Sequence, residues 1–311
     1  MQSPDSSRPS STRTSINVER RFPLDLRQSD QAIRALYEDA KRGHWVPATD
    51  IPWAAFDATA RDAATLEAAR RVWSRRAWIE YTGLAETPAL VIRFCLELDR
   101  EADPKYFLTV RNTEEAWHVE SFYRYAEACG GYLDTPANPQ WQPLFNRGLH
   151  RDALDARRSL DGHVLTHCTF GDGLEHVLAA AWLGNTSEPV ARALLERCAA
   201  DRERHARFGW LYIERRAATM SDDERAAASE ALVSHLEQVE LAGVRCVGLA
   251  TGIDASADVA ELDRVASAGL GAVTAQAEVA LFTQYLAHCR ERLGAIGIEL
   301  PLVAHPTLGR I

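Results

Sequence analysis

One helical turn, Glu115-Ala116-Trp117-His118, sets a carboxylate and an imidazole three residues apart. In a helix those side chains share a face and can reach one metal ion together. The turn Arg202-Glu203-Arg204-His205 echoes it, with an arginine where the acid would stand. A single acid precedes each turn, Glu80 before the first and Asp172 before the second. Carboxylates offset the charge of a di- or trivalent ion in a low-dielectric interior, and neutral imidazoles complete its coordination. The pattern therefore points to metal chemistry, with one half-site intact and the other altered.

Helical spacing says which of these groups face inward. Glu115 and His118 fall in the stripe Leu108, Phe122 and Tyr125, which turns both toward a core. Glu80 shares a stripe with Trp73, Ala77 and Leu84. An unpartnered buried carboxylate is costly, so a metal is its expected partner. Glu86 is a rival for the same role. Asp172 shares a face with Leu165, Cys168, Ala179 and Trp182, and His176, one turn on, is a further candidate. Arg202 lies in the stripe Leu195, Cys198, His205, Gly209 and Tyr212, while Glu203 faces away. Asp201, nearer the seam, is expected to bond His205 or to serve as a substitute ligand. Arginine cannot bind a metal. Arg202 thus stands either for the charge of a missing second ion or for the holder of a substrate carboxylate.

Blander readings compete with each of these. Glu115 and His118 could form a surface ion-pairing turn, as acidic neighbours Glu114 and Glu120 suggest. Asp172 and His205 could join Arg202 in a buried metal-free network. His163 and His167 fall opposite Asp172 and read as a solvated face. So does the run Arg70, Arg71, Arg75 and Arg76. Trp73, Phe122, Tyr125 and Tyr212 read as core, and the six cysteines as reduced core filler.

The elements that must position these groups are helical. Ala, Leu, Glu and Arg abound, and runs of β-branched residues are scarce. Helices are predicted over 30–42, 61–84, 88–100 (Pro88 starting or kinking it), 103–129, 151–184, 189–216, 222–247 and 257–293. Gly130-Gly131 stops the fourth of these, and an ordered loop follows over 131–149. Residues 1–25, rich in Ser, Arg, Pro and Thr, read as a disordered leader. The rest, 26–311, reads as one domain with a bundle core at about 60–217 and C-terminal helices at about 222–294.

Composition narrows the class. Of 311 residues, 46% are hydrophobic and 25% charged, a balance that permits a large core; the net charge of −9 argues against a nucleic-acid surface. No apolar run is long enough for a membrane span. A cytoplasmic setting is expected.

With these residues in view, the chain resembles ferritin-like di-iron carboxylate proteins, in the oxygenase branch typified by arylamine N-oxygenases. The resemblance covers about residues 60–217. It rests on Glu80, the Glu115-to-His118 turn, Asp172 and the Asp201-to-His205 turn, and departs from the family at Arg202. It implies an all-α, ferritin-like four-helix bundle with additional N- and C-terminal helices. It also implies Glu80, Glu115, His118, Asp172 and His205 as ligands of iron, one or two ions, with manganese as an alternative. The expected activity is O2-dependent oxidation of a small organic substrate with an external electron donor, in a monomer or homodimer. The rival expectation is a metal-depleted scaffold that binds or assembles partners.

Overall fold

The computed structural model describes residues 27–97, 102–147 and 149–311; the expected leader lies outside them. Helices α1 (Gln31–Arg42) and α2 (Pro47–Asp50) lead into α3 (Ala63–Leu96) and α4 (Ala102–Ala128). Short helices α5 (Gln142–Phe145) and α6 (Leu149–Leu154) precede α7 (Leu160–Val164), which passes through a π-helical stretch, Leu165–Gly171, into α8 (Asp172–Gly184). Then come α9 (Pro189–Ala217), α10 (Asp222–His235), α11 (Ser256–Ser267) and α12 (Ala275–Ala295). A two-residue antiparallel pair, Ala304–His305 with Gly309–Arg310, ends the chain.

Helix α3 packs on α4, α8 on α9, and α4 on α9, so the long rods α3, α4, α8 and α9 make the bundle. The 34 residues of α3 run straight through Pro88, where spacing predicts a start or kink. Proline removes only the bond to the Leu84 carbonyl. Neighbours on both sides hold the rest: Ala69 and Trp73 lie in one core cluster, Leu90 and Phe94 in another. Three other expected helices divide. The 151–184 segment breaks after Leu154, the 222–247 segment passes through a π stretch at Leu236–Glu240 and ends, and the 257–293 segment splits at Gly269-Leu270-Gly271. Gly269 and Gly271 have positive φ, which the apolar periodicity on either side does not register.

Local chemistry explains most ends. Asp30, Asp62 and Ser221 cap α1, α3 and α10 through their side chains, and Glu224 completes a capping box with Ser221. Asp103 is buried at the start of α4. Its carboxylate accepts from the Ser29 and Asp30 amides, each at 2.7 Å, and from Arg34 at 2.6 Å, tying α1 to the bundle. On α9, only glycine is tolerated at 209, because a Cβ there would overlap the backbone of Cys168 and Thr169. That close approach seats α9 against the π-helical stretch just ahead of Asp172.

Candidate metal centre

The two halves of the bundle answer each other with crossed pairs. His118 on α4 faces Glu80 on α3 through Nδ1 (2.7 Å to Oε1) and Asp201 on α9 through Nε2 (3.0 Å to Oδ2). The Trp45 indole donates to that same Asp201 oxygen at 2.9 Å. In mirror fashion, His205 on α9 faces Glu114 on α4 through Nε2, at 2.7 Å. Each outer acid sits one residue ahead of the inner position, Glu114 before Glu115 and Asp201 before Arg202, and bonds the opposite half's histidine. Arg204 bridges the two outer acids.

Asp201 therefore meets His118 and not His205, as spacing suggests. Glu114, an acidic neighbour in the surface-turn alternative, is fully buried. Both corrections have one cause. The seam lies between helices, so the acid beside a ligand turn reaches across to the neighbouring rod and misses its own.

Two guanidiniums lie inside. Arg202 donates to Glu80 Oε2 at 2.6 Å, with Glu175 at 3.7 Å as its other acid. Arg111, one turn before Glu115 on α4, grips Asp172 through both oxygens (2.9 and 2.6 Å) and lies 2.7 Å from Glu115 Oε1. The Thr87 hydroxyl donates to the other Glu115 oxygen at 2.8 Å. Asp172 thus pairs with Arg111, and not with Arg202 as the metal-free alternative predicts. Sequence reading missed Arg111, although it sits three residues after Leu108 and four before Glu115, inside the very stripe that signalled the site.

Burial and charge set the electrostatics. Burial alone would raise the Glu80 carboxyl, but Arg202 and His118 outweigh it and hold it well below the carboxylate range. Burial opposes charge on His118, yet Cys198, Glu80 and Asp201 raise its pKa well above the ordinary value. Burial, with Asp172 and Glu80 adding to it, pushes Glu115 up to about 8 against the pull of Arg111 and Thr87. Three inner carboxylates thus face two guanidiniums, and the surplus shows on Glu115.

Room for Glu115 is made by Gly83, one turn after Glu80. A Cβ at 83 would stand 2.8 Å from the Glu115 Cδ. A cavity of about 10 Å³, the size of a single water, is lined there by Glu80, Gly83, Glu115 and Asp172, with Arg111 and Arg245.

The other candidates differ among themselves. Glu86 lines the same small cavity and meets His167 Nδ1 at 3.0 Å, beside which His235 faces Glu240 at 2.9 Å. His163 and His167 are buried, not solvated, because α10 covers their face. His176 is only partly buried, feels the charges of Glu203 and Arg202, and does not line the small cavity.

Tested as a metal site, the halves differ. The first half offers carboxylate and imidazole donors of the types a divalent ion takes: Glu80 and Glu115 line the small cavity beside Gly83, and His118 is bonded to Glu80, with Arg202, Arg111 and Asp201 now engaging the three. In the second half Arg202 holds the acid position, Arg111 clamps Asp172 and His205 is drawn to Glu114. That half does not fit an ion. As packed, ion pairs join the inner groups, and among the described residues no three His, Cys, Asp or Glu side chains already form a ligating cluster. An ion on Glu80 and Glu115 would take the place of the Arg202 and Arg111 contacts to those carboxylates.

No family model matches the chain, and no curated protein does. Solved structures do. An R2-like ligand-binding oxidase with an aerobically reconstituted metal cofactor after photoconversion is 17% identical, with a TM-score of 0.60 over 84% of this chain and 92% of that one. A tyrosine-to-phenylalanine variant of an R2-like ligand-binding oxidase with an aerobically reconstituted Mn/Fe cofactor is 18% identical, with a TM-score of 0.58 over 84% and 92%. The chain shares their all-helical, ferritin-like fold. The likeness is to the R2-like oxidases, whereas the sequence resemblance pointed to arylamine N-oxygenases.

Proposed function

We propose that the protein is a metal-dependent oxidase of the ferritin-like class. It would hold one ion, iron or manganese, on Glu80, Glu115 and His118, and use O2 to oxidise a small organic molecule. The observation that carries this reading is the adjacency of three buried groups: His118 meets Glu80 at 2.7 Å, and Glu80 and Glu115 line one small cavity beside Gly83. The solved structures named as oxidases with a reconstituted metal cofactor, Mn/Fe in the second, support it through their shared fold.

When bound, the ion would exchange electrons with O2 and the substrate. The chain's own groups do the rest. Asp201, held by Trp45, accepts from His118 Nε2–H and so turns Nδ1 toward the ligand position. Arg202 supplies a fixed positive charge in place of a second ion. Trp73 and Phe122, both fully buried, keep water from the interior beside His118. Hydroxylation, N-oxygenation and desaturation all lie within this class. An external electron donor, a homodimeric state and a cytoplasmic setting belong to the proposal; the six free cysteines support a reducing environment. No helix of the described residues is long and apolar enough to cross a membrane.

A second reading has its own observation. Arg111 and Arg202 already answer Asp172, Glu115 and Glu80, so the network could stand as a metal-free core of a binding or assembly protein. Elemental analysis of protein from iron- and manganese-supplemented culture separates the two. The oxidase reading expects about one ion per chain, lost in Glu115→Ala and His118→Ala, and a gain in retained metal in Arg202→Glu. A wild-type chain without stoichiometric metal overturns it in favour of the metal-free network.

A further inference from the structure

Beside the centre lies a cavity of about 290 Å³, near the lower end of the roughly 300–1,000 Å³ range of small-molecule pockets. Glu80 and Arg202 form its inner wall, and the exposed Ala137 and Ala257 form part of its rim. Most of the lining is apolar, with Val72, Ile79, Leu178 and Leu262 on the walls.

The polar groups that line it are unevenly satisfied. Every acid is engaged. Glu80 meets Arg202 and His118, Glu175 meets Arg245 at 2.7 Å, and Glu261 meets Arg71 at 2.6 Å. Asp258 accepts from the Trp141 indole at 3.1 Å and Glu278 from the Trp182 indole at 2.8 Å. The unanswered groups are donors. Arg76 is 6% exposed, yet neither of its terminal nitrogens has a hydrogen-bond partner. Arg202, 3% exposed, leaves Nε and one terminal nitrogen without a hydrogen bond, and Arg75 leaves its Nε.

Stacking explains how such cations are kept there. The Arg76 guanidinium lies 3.8 Å from the Trp182 ring centroid and 4.7 Å from that of Trp73, and Arg75 lies 3.9 Å from that of Trp141. Aromatic faces hold a guanidinium by its π surface and leave its N–H edge free. That edge matches a planar carboxylate with two parallel hydrogen bonds. A buried donor left unpaired costs about 1–3 kcal/mol. Burial accordingly depresses Arg76 to about 9 and Arg75 to about 10. A bound anion would remove that cost.

We propose that this cavity is a binding site for a small organic carboxylate, its head on the free edges of Arg76 and Arg202 and its apolar body against Val72, Ile79 and Leu178. The site does not depend on a metal in the neighbouring centre. It also replaces the reading of Arg75 and Arg76 as a solvated face: α11 packs on α3, Trp141 and the Gly243 and Val244 carbonyls cover Arg75, and Trp182 covers Arg76, so only Arg70 and Arg71 of the run keep surface partners.

Benzoate, neutral benzamide and inorganic phosphate test it against metal-stripped wild-type protein, by calorimetry and by the fluorescence of the tryptophans lining the cavity. Saturable one-to-one benzoate binding is expected, with benzamide and phosphate each weaker by about tenfold or more. Arg76→Met should lose at least that factor for benzoate while remaining folded, since it deletes a buried cation whose terminal nitrogens have no hydrogen-bond partner. Should that variant fail to fold, Arg76→Lys, which keeps the charge but not the fork, should show a reduced benzoate affinity. Arg70→Met, which does not line the cavity, should bind as wild type. Absence of benzoate binding, equal binding of benzamide or phosphate, or undiminished binding by both Arg76 variants overturns the proposal. None of these readouts depends on metal content, so failure here is distinct from failure of the oxidase reading.

Discussion

The bundle centre and the cavity beside it share Glu80 and Arg202, yet they handle charge in opposite ways. In the centre Arg111 grips Asp172 and reaches Glu115, Arg202 reaches Glu80, and each histidine finds an acid from the opposite half. In the cavity the acids are satisfied while Arg76 leaves both terminal nitrogens unanswered. A closed network of ion pairs specifies how four rods pack. Donors kept buried without acceptors destabilise the fold, and a chain retains such groups chiefly where a ligand completes them.

Removing one arginine from each region should break or sharpen that contrast. Arg111→Met leaves Asp172 and Glu115 buried without their cation and should cost about 3–5 kcal/mol in urea unfolding. Arg76→Met, which loses stacking and the attraction of Glu278 but no hydrogen bond at its terminal nitrogens, should cost about 1 kcal/mol or less in the same assay. Equal losses would erase the distinction between the regions.

A smaller effect should follow pH. Burial lifts Glu278 to about 7 from 4.5, against the pull of Arg76, the Trp182 indole and Arg75, with Asp263 adding to the rise. The folded state thus holds this proton more tightly than the unfolded one. Its contribution to stability is full below about pH 4.5 and is lost as pH rises through about 7. Glu278→Gln should flatten that decline by on the order of 2–3 kcal/mol, read from unfolding free energies across the interval. A decline identical to wild type would mean that Glu278 is not the cavity's buried acid.

The smallest change tests the room in the first half-site. Gly83→Ala pushes a methyl group against the Glu115 carboxylate, which Arg111 and Thr87 hold in place. It should cost about 1–2 kcal/mol and reduce retained metal. Full metal retention with unchanged stability would show that the space Gly83 leaves has no role.

Much of the architecture could be read before any coordinates. Helix starts at Asp30, Asp62 and Ser221 follow from side chains that cap their own first turn, and the stripes of α4 and α9 turned Glu115, His118, Arg202 and His205 inward. The inward place of Arg202 was also visible, because it occupies a seam position by spacing alone. Arg111 was legible in principle, lying in the same stripe. Other features were not. Arg75 and Arg76 look solvated until Trp141 and Trp182 are set over them, and the buried place of Glu114 shows only when α9 is set beside it.

Periodicity and capping are local, so the chain's own residue order determined its helices, their inward faces and the acids and imidazoles available to a centre. Partnership is not local. That His118 meets Asp201 83 residues away, that Arg111 takes Asp172 61 residues away, and that three tryptophans meet arginines around one cavity depend on the axial register of neighbouring rods. Close packing sets that register across the whole bundle, through contacts such as Gly209 against Cys168, and no single segment carries it.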